Sequence, residues 1–168
     1  MRPQVFFAVP RVWEKMYEAM QAARKTIPLP IRFVTDRLKL VMKEYILSTQ
    51  YGEDDHNNNN NTPSPPSLQL KLAEKMCLKV KEKLGLDKAR YCATGAAPLS
   101  AEIQEYFASV GVTIFEVFGQ SEATGLSTVN CPHAWKLGTV GRIYPGQQAR
   151  LDVENGEYQY RGRHIFMG

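Results

Sequence analysis

The sequence predicts an α/β fold: a parallel βαβ sheet with flanking helices and a small antiparallel β sub-sheet. Three observations carry that expectation. A strand, a helix and a second strand follow one another between Ala89 and Phe118. Apolar residues recur at helical spacing in three stretches ahead of that unit, and two short alternating stretches behind it flank Asn155-Gly156, a favoured hairpin turn.

Taken in order, Val5-Phe6-Phe7-Ala8-Val9 reads as a short buried strand that Pro10 ends, because proline has no N–H to give a ladder. Trp13, Met16, Tyr17 and Met20 then repeat at helical spacing, and Val34, Leu38, Val41, Met42 and Tyr45 do so again after the Pro28-Leu29-Pro30 break. Residues 51–67 change character: Gly52, three acids, His56, five consecutive asparagines and Thr62-Pro63-Ser64-Pro65-Pro66-Ser67. That composition cannot bury enough apolar surface to offset its ordering entropy, so the expectation is a disordered low-complexity insertion within one helical region. A third helix carries Leu72, Met76, Val80 and Leu84 on one stripe, and Gly85 stops it.

The βαβ unit comes next. Ala89 to Thr94 forms a strand ending at Gly95, Ser100 caps a helix bearing Ile103, Phe107 and Val110, Gly111 closes it, and Thr113 to Phe118 forms a strand ending at Gly119. The crossover makes the strands parallel, so Gly95–Pro98 and Gly119–Gly125 leave the sheet at one edge. Ligands of open parallel sheets bind outside that edge. Gly138, Gly141, Pro145 and Gly146 then punctuate a loop-rich stretch, and Gln148–Val153 pairs with Glu157–Arg161.

Composition narrows the function classes. The chain has 168 residues, 43% of them apolar and 23% charged, which is the arithmetic of one soluble globular unit. Its apolar runs fall short of the ~18 residues that span a membrane. Cys77, Cys92 and Cys131 have neither zinc-site spacing nor disulfide density and read as reduced cytosolic thiols. Residues 1–50 hold nine Lys/Arg against four acids, but these lie among helical apolar positions without interleaved aromatics, so a solvated helix face is favoured over a nucleic-acid partner.

The chemistry concentrates in Phe118-Gly119-Gln120-Ser121-Glu122-Ala123-Thr124-Gly125. Its glycines let backbone approach a ligand, Ser121 offers a hydroxyl to an anion, and Glu122 offers a hard carboxylate suited to magnesium. Gly95-Ala96-Ala97-Pro98 has almost no side chain, so a flat base could lie against it with Phe118 stacking. A plain helix cap is the bland alternative. A second chemistry starts from the near match to a nucleophile elbow at Gly119–Ala123, with Asp152 and His164 following in the order of an α/β-hydrolase serine esterase. Gly125 interrupts the helix an elbow requires, and His133 and His164 otherwise read as surface or core histidines.

The octapeptide resembles the Tyr-Gly-x-Thr/Ser-Glu-x-x-Gly motif of AMP-forming acyl-CoA synthetases, the adenylate-forming superfamily. Ala8-Val9-Pro10-Arg11-Val12-Trp13-Glu14-Lys15 is similar to the segment ahead of that family's long helices, and Thr94-Gly95-Ala96-Ala97-Pro98-Leu99-Ser100 to its adenine-side loop. Gly138-Thr139-Val140-Gly141-Arg142 and Gly156-Glu157-Tyr158-Gln159-Tyr160-Arg161-Gly162 resemble its later turn and strand motifs. Arg161–Gly168, with the Trp-Glu-Lys segment, is similar to the long- and very-long-chain "bubblegum" branch.

The resemblance implies a slice, residues 1–168, of the large amino-terminal AMP-binding domain. It implies a fatty acid:CoA ligase that uses ATP and Mg2+ to form an acyl-adenylate, then coenzyme A to form a thioester. Ser121 would hold a phosphate oxygen and Glu122 the metal, as catalytic residues. Phe118, Gly119, Gln120, Gly95, Ala96 and Ala97 would bind the nucleotide, with the last three also lining the acyl side. Phe118 and Ser121 replace the commoner Tyr and Thr and keep a ring face and a hydroxyl. The family's Gly-rich phosphate loop, ribose-binding aspartate and mobile domain with its lysine have no counterpart within the chain, so no turnover is expected of it alone. The resemblance implies a cytoplasmic protein and permits peripheral contact with a membrane such as the endoplasmic reticulum. A non-catalytic fragment that binds another chain through an exposed core face is the remaining alternative.

Overall fold

A computed structural model describes residues 2–50 and 68–166. The low-complexity insertion expected at 51–67 lies outside the described residues. The elements run β1 (Val5–Ala8), α1 (Pro10–Lys25), α2 (Leu29–Leu47), α3 (Leu68–Leu84), β2 (Tyr91–Thr94), α4 (Ala101–Ser109), β3 (Ile114–Gln120), β4 (Gly125–Val129), β5 (Arg142–Ile143), β6 (Gln148–Leu151) and β7 (Tyr158–Arg161).

Five strands form one mixed sheet in the order β1-β2-β3-β4-β5, and β6-β7 form a separate two-stranded sheet. β1, β2 and β3 are parallel, with Ala8 opposite Thr94 and Thr94 opposite Glu116. β4 and β5 continue the sheet antiparallel. The βαβ unit is therefore present, joined by a third parallel strand from the amino terminus.

The pleat sends alternate residues to opposite faces. Cys92 and Ile114 join a cluster with Trp13, Ile103 and Phe107, whereas their neighbours Ala93 and Phe115 join a second with Met42, Cys77 and Trp135. Trp13 is fully buried and meets Phe6 and Phe107 edge-on at 5.2 and 5.1 Å. Edge-to-face packing sets the positive ring edge on a negative face, favouring this geometry over a face-to-face sandwich.

Several local expectations change. Pro10 does not merely stop β1 but starts α1, where its missing N–H is already an orphan of the first turn. On α3 the buried side chains are Leu70, Ala73 and Cys77, and Leu72 is exposed. Met76, Val80 and Leu84 of the anticipated stripe do pack against the core, so the apolar face is wider than the stripe and only Leu72 falls off it, because α3 packs against α2 as well as towards the sheet. Ser100 sits at the start of α4 without a side-chain cap; instead its carbonyl accepts from Ile103 and Gln104 N–H, while Gln104 Nε2 donates to Leu99 O at 3.1 Å. The β6–β7 connection is also wider than an Asn-Gly turn. Leu151 pairs with Tyr158, and the Asp152 N–H donates to Glu157 O at 2.8 Å.

Candidate functional site

The two loops singled out in the sequence follow parallel neighbours β2 and β3 and emerge from the same end of the sheet. Among the described residues, the non-glycine residues with positive φ are Ala96 at 71° and Thr124 at 49°, one in each loop. A side chain in the left-handed region crowds its own carbonyl, so the conformation persists only where surroundings impose it. Such strain gathers at binding sites.

The first loop is shaped by what lies beneath it. A Cβ on Gly95 would meet Val117 Cγ2 at 2.9 Å and Phe7 Cζ at 3.2 Å, so only glycine lets the chain leave β2 across its neighbours. Ala96, Ala97 and Pro98 then stand exposed, and Leu99 turns back inside. Leu99 N–H donates to Glu116 Oε1 at 3.0 Å. Glu116 is 8% exposed, and its backbone carbonyl accepts from both Asn130 N and Asn130 Nδ2 at 3.2 Å. Asn130 Oδ1 in turn accepts from Lys136 N–H at 3.2 Å. One buried carboxylate and one buried amide thereby tie the first loop to β3, β4 and the turn beyond it.

The second loop is a hairpin connection. Phe118, Gly119 and Gln120 belong to β3, Ser121–Ala123 form one turn of 3-10 helix, and Gly125 opens β4. The strand runs further than the sequence suggested because β4 pairs along it, with a bulge at Phe118/Gly119. A Cβ on Gly119 would lie 1.9 Å from Gly125 O, so this glycine is required by strand closure and not by ligand approach alone. Ser121 and Glu122 are exposed, Ala123 anchors the turn inside, and Phe118 is 37% exposed.

Contacts from distant sequence hold this hairpin. Gln120 Nε2 donates to the Tyr160 hydroxyl, Thr124 Oγ1 donates to His164 O at 2.9 Å, and Phe166 N–H donates to Glu122 O at 3.2 Å. Phe118 packs edge-on against Tyr158 with centroids 5.8 Å apart, and Tyr158 continues into Tyr160 at 5.7 Å. Burial pushes the Tyr158 hydroxyl above its ordinary pKa. Glu116, Asn130, Tyr158 and Tyr160 escaped the sequence reading. The alternation Tyr158-Gln159-Tyr160 puts both rings on one face of β7, and that period was the available signal. His164, read as an ordinary histidine, contributes its backbone carbonyl.

The esterase arrangement is not built. Gly125 begins a strand where an elbow needs a helix, and Asp152 Oδ1 accepts from Glu154 N–H at 2.9 Å inside the β6–β7 loop.

Thr94 is paired with Glu116, and β3 continues four residues further to Gln120, about 13 Å at ~3.3 Å per residue. The side-chain-poor loop after β2 and the exposed Ser121 and Glu122 thus lie towards the same end of the sheet. Among the described residues no group of three or more His, Cys, Asp or Glu side chains is gathered to hold a metal. Magnesium characteristically takes one or two carboxylates together with substrate phosphates, so a single exposed Glu122 fits an ion that arrives with the nucleotide.

Parallel strands with glycine loops at their carboxyl edge define an open α/β sheet, the architecture that takes ligands outside that edge. The chain belongs to the AMP-binding enzyme family, whose model matches residues 1–167. It is 34% identical over 172 residues to long-chain-fatty-acid–CoA ligase ACSBG2 of Xenopus laevis, covering 99% of this chain and 22% of that protein. The Gallus gallus protein of that name is 35% identical, with 99% and 21% covered. A solved malonyl-CoA ligase ternary product complex with methylmalonyl-CoA and AMP bound is 28% identical, over 56% of this chain and 23% of that one, with a TM-score of 0.45. The chain spans about a fifth of the length of these curated relatives.

Proposed function

We propose that this chain supplies the adenylate-binding edge of an ATP-dependent long-chain fatty acid:CoA ligase. The carboxylate of the fatty acid attacks the α-phosphate of ATP, forming an acyl-adenylate and releasing pyrophosphate; the thiol of coenzyme A then displaces AMP. Ser121 Oγ–H donates to a phosphate oxygen. Gly95, Ala96 and Ala97 line the adenine and acyl side, and Phe118 stacks near the base, backed by Tyr158. Gly119 and Gln120 bring backbone and an amide alongside the phosphates. Glu122 holds Mg2+, which when bound neutralises phosphate charge. Such chemistry is mostly positioning and charge stabilisation, so no covalent nucleophile is needed.

The observation that carries this reading is the strained pair Ala96 and Thr124 in adjacent loops at the carboxyl edge of β2 and β3. Names of the relatives add the substrate class. Calorimetric titration with ATP and Mg2+ tests it: saturable binding that ADP-ribose fails to displace is expected, and a flat titration overturns it.

We further propose cytoplasmic placement with peripheral lipid contact. Leu29, Ile31, Phe33 and Val34 of α2 are 56–77% exposed and flanked by Arg32 and Arg37, a pattern suited to an anionic lipid surface. No described helix is long and apolar enough to cross a membrane. Flotation with phosphatidylserine vesicles, compared with phosphatidylcholine alone, reads this directly.

A further inference from the structure

A cavity of about 410 Å³ opens between the four helices, within the size range of small-molecule sites, roughly 300–1,000 Å³. Its walls carry no residue of the loops described above. Met16 and Met20 of α1 and Met76, Val80 and Leu84 of α3 line it. Methionine adapts its shape to flexible apolar guests.

The charged groups at this cavity are cationic, beside the neutral hydroxyls of Thr35 and Tyr106. Arg24, Lys39 and Lys83 all border it. Arg24 Nη2 is paired with Asp36 at 2.6 Å, yet its buried Nε–H has no hydrogen-bond partner among the described residues. The Lys39 ammonium lies 4.8 Å from the centroid of the Tyr106 ring and reaches the Tyr106 hydroxyl only at 3.5 Å. An ammonium carries three donors, so its hydrogen-bonding capacity is largely unfilled. Burial, followed by the nearby Arg24 charge, lowers the Lys39 pKa, with Asp36 acting against them. Asp36 is the carboxylate beside them, and it is taken by Arg24.

We propose that this interhelical cavity binds a free long-chain carboxylate at a site separate from the nucleotide edge, with the acyl chain among the methionines and the carboxylate on Lys39. An apolar cavity bordered by an under-coordinated cation matches a single acyl chain with one anionic oxygen head. Opposite charge fixes the head, and the apolar wall excludes water from the tail. Lys83 at the rim adds long-range attraction.

Fluorescence displacement and calorimetry on the 168-residue chain, with palmitate as the probe, test the assignment. Saturable one-to-one binding is expected, with methyl palmitate about tenfold weaker, the scale of one charge-assisted hydrogen bond. Lys39→Met should weaken palmitate about tenfold and leave methyl palmitate unchanged. Ala19 and Ala23 line the same cavity but are exposed, so Ala19→Trp can obstruct it without burying new bulk in the core, and both ligands should be lost. Helical circular dichroism checks that the variants fold. ATP with Mg2+ should not displace palmitate, which keeps this test independent of nucleotide binding. Equal affinity for acid and ester, palmitate binding indifferent to both substitutions, or binding to anionic vesicles without uptake of free palmitate would each overturn the proposal.

Discussion

The Leu99 N–H donates to Glu116 Oε1 at 3.0 Å, fastening the end of the loop after β2 to the middle of the neighbouring strand. Both residues are buried, so the bond is shielded from competing water. Replacing Glu116 with Ala leaves a buried N–H without an acceptor, at a cost of about 1–3 kcal/mol. Glu116→Gln keeps an oxygen in place and should retain most of that stability. Urea midpoints read both; indistinguishable midpoints for wild type and Glu116→Ala would remove the anchor.

Gly119→Ala should unfold the hairpin, because the added Cβ would meet Gly125 O at 1.9 Å and backbone cannot yield as a flexible side chain does. A loss of about 3 kcal/mol, the upper end of typical overpacking costs, is expected. Gly125→Ala meets open space and pays only for its φ of 120°, roughly 1–3 kcal/mol. Thermal midpoints in the reverse order would refute the closure argument.

Tyr160→Phe removes the acceptor used by Gln120 while keeping the ring beside Tyr158. Faster amide exchange across Gln120–Gly125 is expected without a change across α4. ATP affinity should drop roughly 2- to 10-fold, the worth of one neutral hydrogen bond. Unaltered exchange in the hairpin would show that β7 does not position it.

Glu122 uses its backbone carbonyl for structure and presents an exposed side chain. Glu122→Gln should therefore leave the unfolding midpoint alone and weaken ATP binding on the order of tenfold, only when Mg2+ is present. An equal loss in EDTA would take the metal away from this carboxylate.

Burial holds the Cys77 and Cys92 thiols protonated, pushing each up to about 11 from 9.0. As pH rises past 9.0 the unfolded chain releases these protons first, so the contribution is complete below that pH and is lost towards pH 11. Thermal midpoints between pH 8 and 10.5 should fall more steeply for wild type than for a Cys77→Ala/Cys92→Ala variant. Parallel slopes would contradict the assignment.

Legibility in the sequence followed range. The βαβ unit and the edge its loops share were readable because periodicity at Ile103 and Phe107 and the glycines at 95 and 119 are local signals. The hairpin nature of Phe118–Gly125 was not, since β3 is lengthened by pairing with β4, and pairing is not encoded in either strand alone. The α3 face widened from Met76, Val80 and Leu84 to include Leu70, Ala73 and Cys77 because α3 packs against α2 as well as towards the sheet. Tyr160 and Asn130 were hidden because their partners, Gln120 and Glu116, lie 40 and 14 positions away.

Thr124 is left-handed, and its hydroxyl reaches a carbonyl 40 residues downstream. The shape of the octapeptide is therefore stored outside it. Grafting those eight letters onto a foreign scaffold would move the words without their grammar, and a transplant that gripped a triphosphate would have to bring its own clasp.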